Sequence, residues 1–248
     1  MSLRVDLNAD LGEGAGHDDE LLSLVSSASI STGFHAGDAH SIAASITAAK
    51  ANGVAVGAHP SFADRENFGR RELQLSAGEI FDLVVYQLGA FAALASAAGV
   101  RVYHVKPHGA LYNLASRDRA TADAIVRAIT QIDASLILFA PGRSALAEAG
   151  AAQGLRVAAE VFADRNYCAD GSLVPRSRPD AMLHDSEMAT ERVLRMLREG
   201  VVRSVDGNDV AVRVDTICVH GDTPAAVEFA HALRTKLADA TVTISAPR

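Results

Sequence analysis

Side chains suited to acid–base or metal chemistry recur in this 248-residue sequence at the ends of short apolar runs. His35 and Asp38 stand in "STGFHAGD", residues 31–38, where the neighbouring residues are too small to shield them. Polar side chains take the same place after other apolar runs: Asn8, Asp10, His59, Lys106, His108, Asp164, Arg165, His220 and Asp222. Carboxylates combined with imidazoles favour metal-assisted or general acid–base hydrolysis.

The glycine-rich first loop, "NADLGEGAGHDD", does not have the spacing of a dinucleotide-binding motif. After Gly12 and Gly14 the third glycine position is His17. Asp10 and Glu13 in the same loop would also repel a pyrophosphate. The sequence contains no P-loop, no nucleophile elbow and no HExxH motif, which leaves the carboxylates and imidazoles as the chemical groups.

Basic residues lie in the same loops although the chain is acidic, with a net charge of −7. They are Arg65, Arg70, Lys106, Arg165 and Arg176. Such groups in an acidic protein favour a substrate that carries a carboxylate or a phosphate. The alternative is that the arginines form structural ion pairs with neighbouring carboxylates. Asp38 and Asp222 have their own alternative, because each precedes a predicted helix and can serve as its N-cap.

An alternation of strands and helices positions these side chains. Strands are predicted at 3–8, 28–34, 53–59, 100–106, 135–140, 155–162, 215–220 and, more weakly, 241–245. Helices are predicted at 18–26, 39–51, 77–98, 118–132, 143–153, 185–199 and 224–238, and Ser76 with Glu79 fits a capping box. About seven strand–helix repeats predict one parallel sheet, and at this length we expect it to close as a barrel of seven or eight units rather than stay open. The carboxyl ends of its strands would then gather the polar residues into one composite site.

The bulk composition limits the class of protein. Acidic net charge argues against nucleic acid as a partner. No uninterrupted apolar stretch reaches the length of a membrane span, and residues 1–10 lack the apolar core of a signal peptide. Two cysteines make no disulfide framework, which favours the cytoplasm. We expect residues 1–248 to form a single barrel domain with a β-hairpin inserted near 201–214, where Asp-Gly marks the turn.

Six stretches, in order, resemble the LamB/YcsF family, whose members form the A subunit of bacterial 5-oxoprolinase. They are "DLNADLGEG", "GFHAGD", "GAHPSFADRENFGR", "HVKPHGALYN", "VFADRNYCADGSLVPRS" and "VHGD". The resemblance runs from about residue 4 to residue 237. It implies a distorted parallel (β/α)7-type barrel related to the glycoside hydrolase/deacetylase fold. The resemblance implies as well ATP-dependent opening of 5-oxo-L-proline to L-glutamate. It also implies two further subunits, B and C, that resemble the halves of allophanate hydrolase.

That reaction needs a base for water, donors for phosphoryl oxygens and a cation for the substrate carboxylate. Its candidate catalytic residues are Asp10, His35, Lys106 and His108. The candidates for binding substrate are Asn8, Asp38, Arg65, Asn67, Arg70, Asp164, Arg165, Tyr167, Arg176, His220 and Asp222. Magnesium would accompany ATP. By position, Asp10, His59 and His108 match the metal ligands of deacetylase-like relatives and would suit zinc or manganese, unless they bind substrate and nucleotide directly.

Two other functions fit the same residues. The chain can be a metal-dependent amide or N-acetyl-sugar hydrolase, which the histidines favour. It can also be a regulatory module that binds a small acid without turning it over. Dependence of glutamate release on ATP separates these hypotheses.

Overall fold

The computed structural model describes residues 3–183, 185–219 and 226–247, and within them the chain forms ten strands. These are β1 (Arg4–Leu11), β2 (Ser27–Ser31), β3 (Ala55–His59), β4 (Val102–Val105), β5 (Ile137–Pro141), β6 (Arg156–Phe162), β7 (Val201–Arg203), β8 (Asp209–Ala211), β9 (Thr216–Val219) and β10 (Thr243–Ile244). Seven of them run parallel in the order β1-β2-β3-β4-β5-β6-β9, and β9 pairs back onto β1 to close a barrel. The predicted (β/α)7-type barrel is confirmed, and each predicted strand segment contains a strand.

Helices cover the outside of the barrel. They are α1 (Asp18–Leu22), α2 (Ala39–Ala51), α3 (Ala77–Ala97), α4 (Gly109–Arg117), α5 (Arg119–Asp133), α6 (Ala145–Ala152), α7 (Ser186–Glu199) and α8 (Ala226–Asp239), with one 3-10 turn at Arg65–Asn67. Ser76 and Glu79 form the predicted capping box of α3. Helix α4 was not predicted: it has only two and a half turns and begins at a glycine.

Two further pairings lie outside the ring. Strands β7 and β8 form an antiparallel hairpin within residues 201–211. Strand β10 pairs in parallel with the amino end of β1, at Arg4 and Val5. All eight predicted strand segments therefore belong to the sheet: seven close the barrel, and the eighth, at β10, pairs with β1 outside the ring.

Strand β1 shows how the chain divides its two faces. Val5, Leu7 and Ala9 are buried in the core between the barrel and its helices. Alternate residues point to opposite faces of a strand, so Asp6 and Asn8 face the barrel interior, where both are buried. The main apolar core therefore lies outside the ring. The interior is polar around Asp6 and Asn8, and it is apolar beside β5, where Phe139 stacks on His104.

Helix α3 is the longest and most apolar helix. By length and composition alone it is able to cross a membrane, with a mean hydropathy of 1.6 over 18 residues. Its buried side chains, among them Ile80, Val84 and Leu88, belong to the core, and the helix packs against α5. The helix therefore packs in this fold as a core helix of the barrel.

Candidate functional site

A cleft of about 750 Å³ opens at the carboxyl ends of the barrel strands. Its floor includes Asp10 at the end of β1, His59 at the end of β3, and Glu160 near the end of β6. Lys106 and His108 follow β4 and also line it. The placement follows from the fold, because the strands of a parallel barrel all deliver their carboxyl ends to the same rim.

Lys106 is the central cation of the cleft floor. Its side chain is 2% exposed, and its ammonium lies 2.5 Å from Asp10 Oδ1 and 3.0 Å from Glu160 Oε1. It also donates to Asn8 Oδ1 at 2.8 Å. Cys218 Sγ lies 3.3 Å away as a fourth neighbour, so four groups surround the three hydrogens of the ammonium. Burial alone would lower the pKa of Lys106, but the carboxylates outweigh burial and raise its pKa well above 10.5, so the side chain stays charged.

Glu160 connects this cation to the wall of the cleft. Its Oε1 accepts from Lys106 and from the Asn8 amide, and its Oε2 accepts from the Tyr112 hydroxyl at 2.7 Å. Burial and the Glu160 carboxylate raise the pKa of Tyr112 well above 10, which keeps the phenol protonated as a donor. Both carboxylate oxygens of Glu160 are thus satisfied inside the protein, as a buried carboxylate requires.

Next to Asp10, four side chains converge on one point: Glu13, His35, His59 and His108. We call them the imidazole cluster. Their ligand atoms all lie within 4.8 Å of one another. Glu13 Oε1 is 2.8 Å from His35 Nε2, 3.3 Å from His108 Nδ1 and 3.8 Å from His59 Nε2. The rings of His35 and His108 stack with centroids 3.9 Å apart.

Backbone carbonyls determine the tautomers of two of these histidines. His59 Nδ1 lies 2.6 Å from the Lys106 carbonyl, and His108 Nε2 lies 2.8 Å from the Phe68 carbonyl. A carbonyl only accepts, so both nitrogens must donate. His59 Nε2 and His108 Nδ1 then face each other as lone pairs, 2.9 Å apart. Two facing lone pairs need a cation or a proton beside them.

The cluster therefore fits a divalent metal ion. Ligands bound at about 2.0–2.1 Å in a tetrahedron lie about 3.3 Å apart, close to the separations between Glu13 and the imidazoles. One carboxylate with imidazoles suits zinc or manganese. The predicted trio of Asp10, His59 and His108 differs from this set. Asp10 Oδ2 is 3.5 Å from His59, but Asp10 Oδ1 is engaged by Lys106, and Glu13 and His35 complete the cluster.

Burial also sets the charge of the imidazoles. It lowers the pKa of His35 to about 2, with the neighbouring His59 adding to the effect. Burial, His59 and His35 together lower the pKa of His108 well below 6.5. Both rings are thus neutral at physiological pH. A neutral imidazole can bind a metal ion, and with a pKa this low it is a weak base toward water.

The loop 64–70 presses against this cluster. Gly69 has a φ of +66°, and a Cβ there would lie 2.2 Å from Ser61 Oγ and 2.9 Å from His108 Cδ2. Phe68 is also left-handed, with a φ of 56°, in the conformation that directs its carbonyl at His108. Arg65 donates to the carbonyls of Gly33 and Gly37, and Asn67 donates to Asp64 Oδ1 at 2.6 Å. Arg65 and Asn67, predicted to bind substrate, therefore hold the loop and do not line the cleft.

Three of the four predicted arginines line the cleft together with Lys106. Arg70, Arg165 and Arg176 lie along its wall. Arg165 is buried and donates to the Val174 carbonyl at 2.6 Å, and burial together with the charge of Arg176 lowers its pKa to about 10. Arg70 lies over the ring of Phe68, 5.0 Å from its centroid. Arginines that line a cleft suit an anionic substrate group.

The other predicted substrate-binding residues take different places. Asn8 lies beneath the cleft in the barrel interior, and Tyr167 lines the cleft while its hydroxyl accepts from the Phe162 amide. Asp38 is the N-cap of α2, accepting from the Ser41 amide at 2.8 Å. Asp164 is buried next to Arg165 and does not line the cleft. His220 and Asp222 lie outside the described residues.

Sequence reasoning did not select Glu13 and Glu160 as site residues. Glu160 interrupts the apolar run "LRVAAEVF", and a charge inside a buried strand is itself a signal of a functional group. Glu13 lies in the glycine-rich loop, whose spacing predicts no dinucleotide site. Gly12 and Gly14, which flank it, have positive φ angles, so the loop turns tightly and carries the carboxylate to the histidines.

Comparisons with known proteins agree along the whole chain. A sequence model of the LamB/YcsF family matches residues 5–248. The chain is 52% identical to the 5-oxoprolinase A subunit of Tolumonas auensis, covering 98% of this chain and 99% of that one. It is 50% identical to the 5-oxoprolinase A subunit of Bordetella pertussis, covering 96% of each.

Solved structures share the barrel. The crystal structure of a lactam utilization protein from Thermus thermophilus matches with a TM-score of 0.93 and 48% identity, covering 99% of this chain and 100% of that one. A structure described as T48 deacetylase with substrate matches with a TM-score of 0.53 and 16% identity, covering 98% of this chain and 87% of that one. The second likeness shows a common fold and nothing further.

Proposed function

The chain belongs to the LamB/YcsF family, and from this premise we propose that it is the A subunit of an ATP-dependent 5-oxoprolinase. The proposed reaction opens 5-oxo-L-proline to L-glutamate while ATP is hydrolysed to ADP and phosphate. The relatives named for the same subunit of 5-oxoprolinase, about half identical over nearly the whole chain, support it. The observation that carries the proposal is the charged floor of the cleft, where Asp10 and Lys106 pair beside an arginine wall.

ATP is needed because the lactam amide is too stable and too unreactive to open usefully without coupling. Transfer of the γ-phosphoryl group to the lactam oxygen makes the ring carbon electrophilic. Water adds to that carbon, and the carbon–nitrogen bond breaks to leave a glutamyl phosphate with a free amine. A second water then releases glutamate and phosphate. The chain must therefore hold an anionic lactam, stabilise phosphoryl charge and take a proton from water.

The cleft residues suit these tasks. We assign the substrate carboxylate to the wall of Arg70, Arg165 and Arg176, because arginine forks pair with carboxylates in a fixed geometry. Lys106 stays charged, and we assign its ammonium to offsetting the negative charge that develops on the phosphoryl group. Asp10 is our choice for the group that accepts the proton of water, because the neutral imidazoles of His35 and His108 are weak bases.

The imidazole cluster can hold a divalent ion through Glu13, His35, His59 and His108. When bound there, zinc or manganese would supply Lewis acidity and lower the pKa of a bound water. Magnesium would enter with ATP. The residues of the chain prepare the site without the ion: the Lys106 and Phe68 carbonyls orient two of the imidazoles.

The proposal includes two partner subunits, B and C, that resemble the halves of allophanate hydrolase. The relatives are named as one subunit of an enzyme, which supports a complex. The sequence also offers no recognisable nucleotide-binding motif, so the partners would supply contacts to ATP. The proposed setting is the cytoplasm, where Cys168 and Cys218, both free thiols, stay reduced.

A second candidate function follows from the imidazole cluster. A carboxylate and three imidazoles able to hold a metal ion also suit an amide or N-acetyl-sugar hydrolase that does not use ATP. A module that binds a small acid without turnover is the third candidate.

The test is glutamate release from 5-oxo-L-proline by the chain mixed with its two partner subunits, with and without ATP. Release that requires ATP is the expected result. Release without ATP would replace the proposal with the metal-dependent hydrolase. Binding of 5-oxo-L-proline without release, with both partners and ATP present, would identify a binding module.

A further inference from the structure

A file of buried polar side chains runs down the barrel interior beneath the cleft. Lys106 is at its top, followed by Asn8, then Thr216, and Asp6 is at the amino end of the barrel. Asp6 and Thr216 are register partners across β1 and β9. All four side chains are buried, and neither Asp6 nor Thr216 lines the cleft. Nothing in the proposed reaction uses these two residues directly.

The hydrogen bonds of this file all point one way. The Lys106 ammonium donates to Asn8 Oδ1 at 2.8 Å, and Asn8 Nδ2 donates to Thr216 Oγ1 at 2.7 Å. The Thr216 hydroxyl donates to Asp6 Oδ2 at 2.6 Å. Asp6 Oδ1 accepts from Ser26 and Ser27 at 2.6 and 2.8 Å. The Asp6 carboxylate thus accepts from all three hydroxyls. Because the Thr216 hydroxyl donates its hydrogen to Asp6, it can only accept from the Asn8 amide. The amide nitrogen of Asn8 is then turned toward Thr216, and its carbonyl oxygen is turned toward Lys106.

We propose that Asp6 is a positioning residue for Lys106, acting through Thr216 and Asn8. The inference rests on the proposed function only in that Lys106 serves the reaction. Glu160 holds one hydrogen of the Asn8 amide from the side, at 3.1 Å, and the Asp6–Thr216 arm holds the other from below. With both arms in place the amide cannot turn, and its oxygen stays under the ammonium.

The donors around Asp6 and its charge argue for this role. A carboxylate inside a barrel costs free energy unless its neighbours compensate it, and three hydroxyl donors are grouped around Asp6. Burial raises the pKa of Asp6 to about 6, so the group is mainly ionised at neutral pH and remains an acceptor. The file is also not a proton relay, because the Asn8 amide does not pass protons on. Its effect is orientation.

The kinetic test uses the three-subunit complex. Thr216→Val removes the hydroxyl and keeps the shape, and we expect kcat to fall about tenfold with little change in KM, the size expected when one bond in a charged network is lost. Thr216→Ser restores the hydroxyl and should restore kcat. Ser29→Ala is the matched control: it removes another buried hydroxyl of the barrel interior, bonded to His104 Nε2 at 3.1 Å and outside the file. Ser29→Ala should lower stability but keep kcat.

A second readout does not depend on turnover. The chain has three lysines, Lys50, Lys106 and Lys236, so lysine labelled with carbon-13 at Cε gives three signals, assigned with Lys50→Arg and Lys236→Arg. Thr216→Val should move the Lys106 signal by more than its line width, and Ser29→Ala should not. If Thr216→Val fails to fold, Thr216→Ala removes the same hydroxyl and leaves room for relaxation.

The outcomes separate the two proposals. A wild-type complex that releases no glutamate defeats the proposed function, while the Lys106 signal still tests the positioning role. An unmoved Lys106 signal in Thr216→Val overturns the positioning role. So does an active complex in which Thr216→Val keeps wild-type kcat, or in which Thr216→Ser fails to recover it.

Discussion

Replacement of Lys106 by methionine tests the charge balance of the cleft floor. Lys106→Met keeps most of the side-chain volume and removes the ammonium that lies 2.5 Å from Asp10 and 3.0 Å from Glu160. The Glu160 side chain is fully buried and Asp10 is 10% exposed. The variant therefore leaves two carboxylates in a buried site without their cation.

Loss of one partner from a buried ion pair costs about 3–5 kcal/mol of unfolding free energy. For a chain of this length that corresponds to a fall in Tm of roughly 6–20 °C, at about 2–4 °C per kcal/mol. Urea unfolding at pH 7, with the m-value held constant, measures the loss directly. The second-site change Glu160→Gln should recover about 1–3 kcal/mol, because it removes one of the stranded charges.

Lys50→Met is the matched control. Lys50 is exposed, and its ammonium donates to the Ala98 carbonyl at 2.8 Å, so its loss should change stability by no more than about 0.5 kcal/mol. Equal stability of Lys106→Met and wild type at pH 7 would refute the argument, since the carboxylates would then not need the ammonium. A Glu160→Gln change that brings no recovery would show that Glu160 is not coupled to Lys106.

Three more predictions concern stability and metal binding. Burial, with the nearby Lys106, lowers the pKa of His104 to about 3 from 6.5. As the pH falls below about 6.5, His104 is therefore protonated in the unfolded chain but not in the folded one. The free energy of unfolding falls with the pH for that reason. Between pH 7 and pH 5 wild type should lose about 2 kcal/mol more than His104→Gln in urea titrations, and equal losses would contradict the burial argument. Dialysis against zinc or manganese should load about one ion per chain, and His59→Ala should lower that content while His231→Ala does not; equal contents would refute the metal site. Residues 1–248 should unfold in one cooperative transition, with circular dichroism and tyrosine fluorescence coinciding, whereas two separated transitions would show more than one domain.

The sheet was predictable because aliphatic runs separated by helical patterns are the signal of a parallel barrel. Helix α3 was predictable for the same reason, with its start marked by the Ser76 and Glu79 capping box. Helix α4 was not, because it has only nine residues and begins at Gly109, so the segment is too short to show the helical period. Leu111 and Tyr112 are buried on this helix, and a helix this short is stabilised mainly by such tertiary packing.

The site was predictable where topology alone decides the location. Asp10 and His59 lie at the ends of barrel strands and Lys106 directly follows one, and a parallel barrel brings such positions to one rim. The function of a polar residue in a loop depends on contacts that the sequence does not specify. Asp38 caps a helix and Arg65 binds backbone carbonyls, although each has the chemistry to bind a substrate.

The most direct test of the account is the turnover of a three-subunit complex in which this chain carries Asp10→Asn. Asp10 lines the cleft and pairs with Lys106, so loss of its carboxylate should lower the kcat for ATP-dependent glutamate release about 100-fold or more. Assembly with both partners should be unchanged by size-exclusion chromatography, and Asp38→Asn, which alters an exposed helix cap, should keep wild-type kcat. An assembled Asp10→Asn complex that releases glutamate at the wild-type rate would place the chemistry outside this cleft and contradict the account.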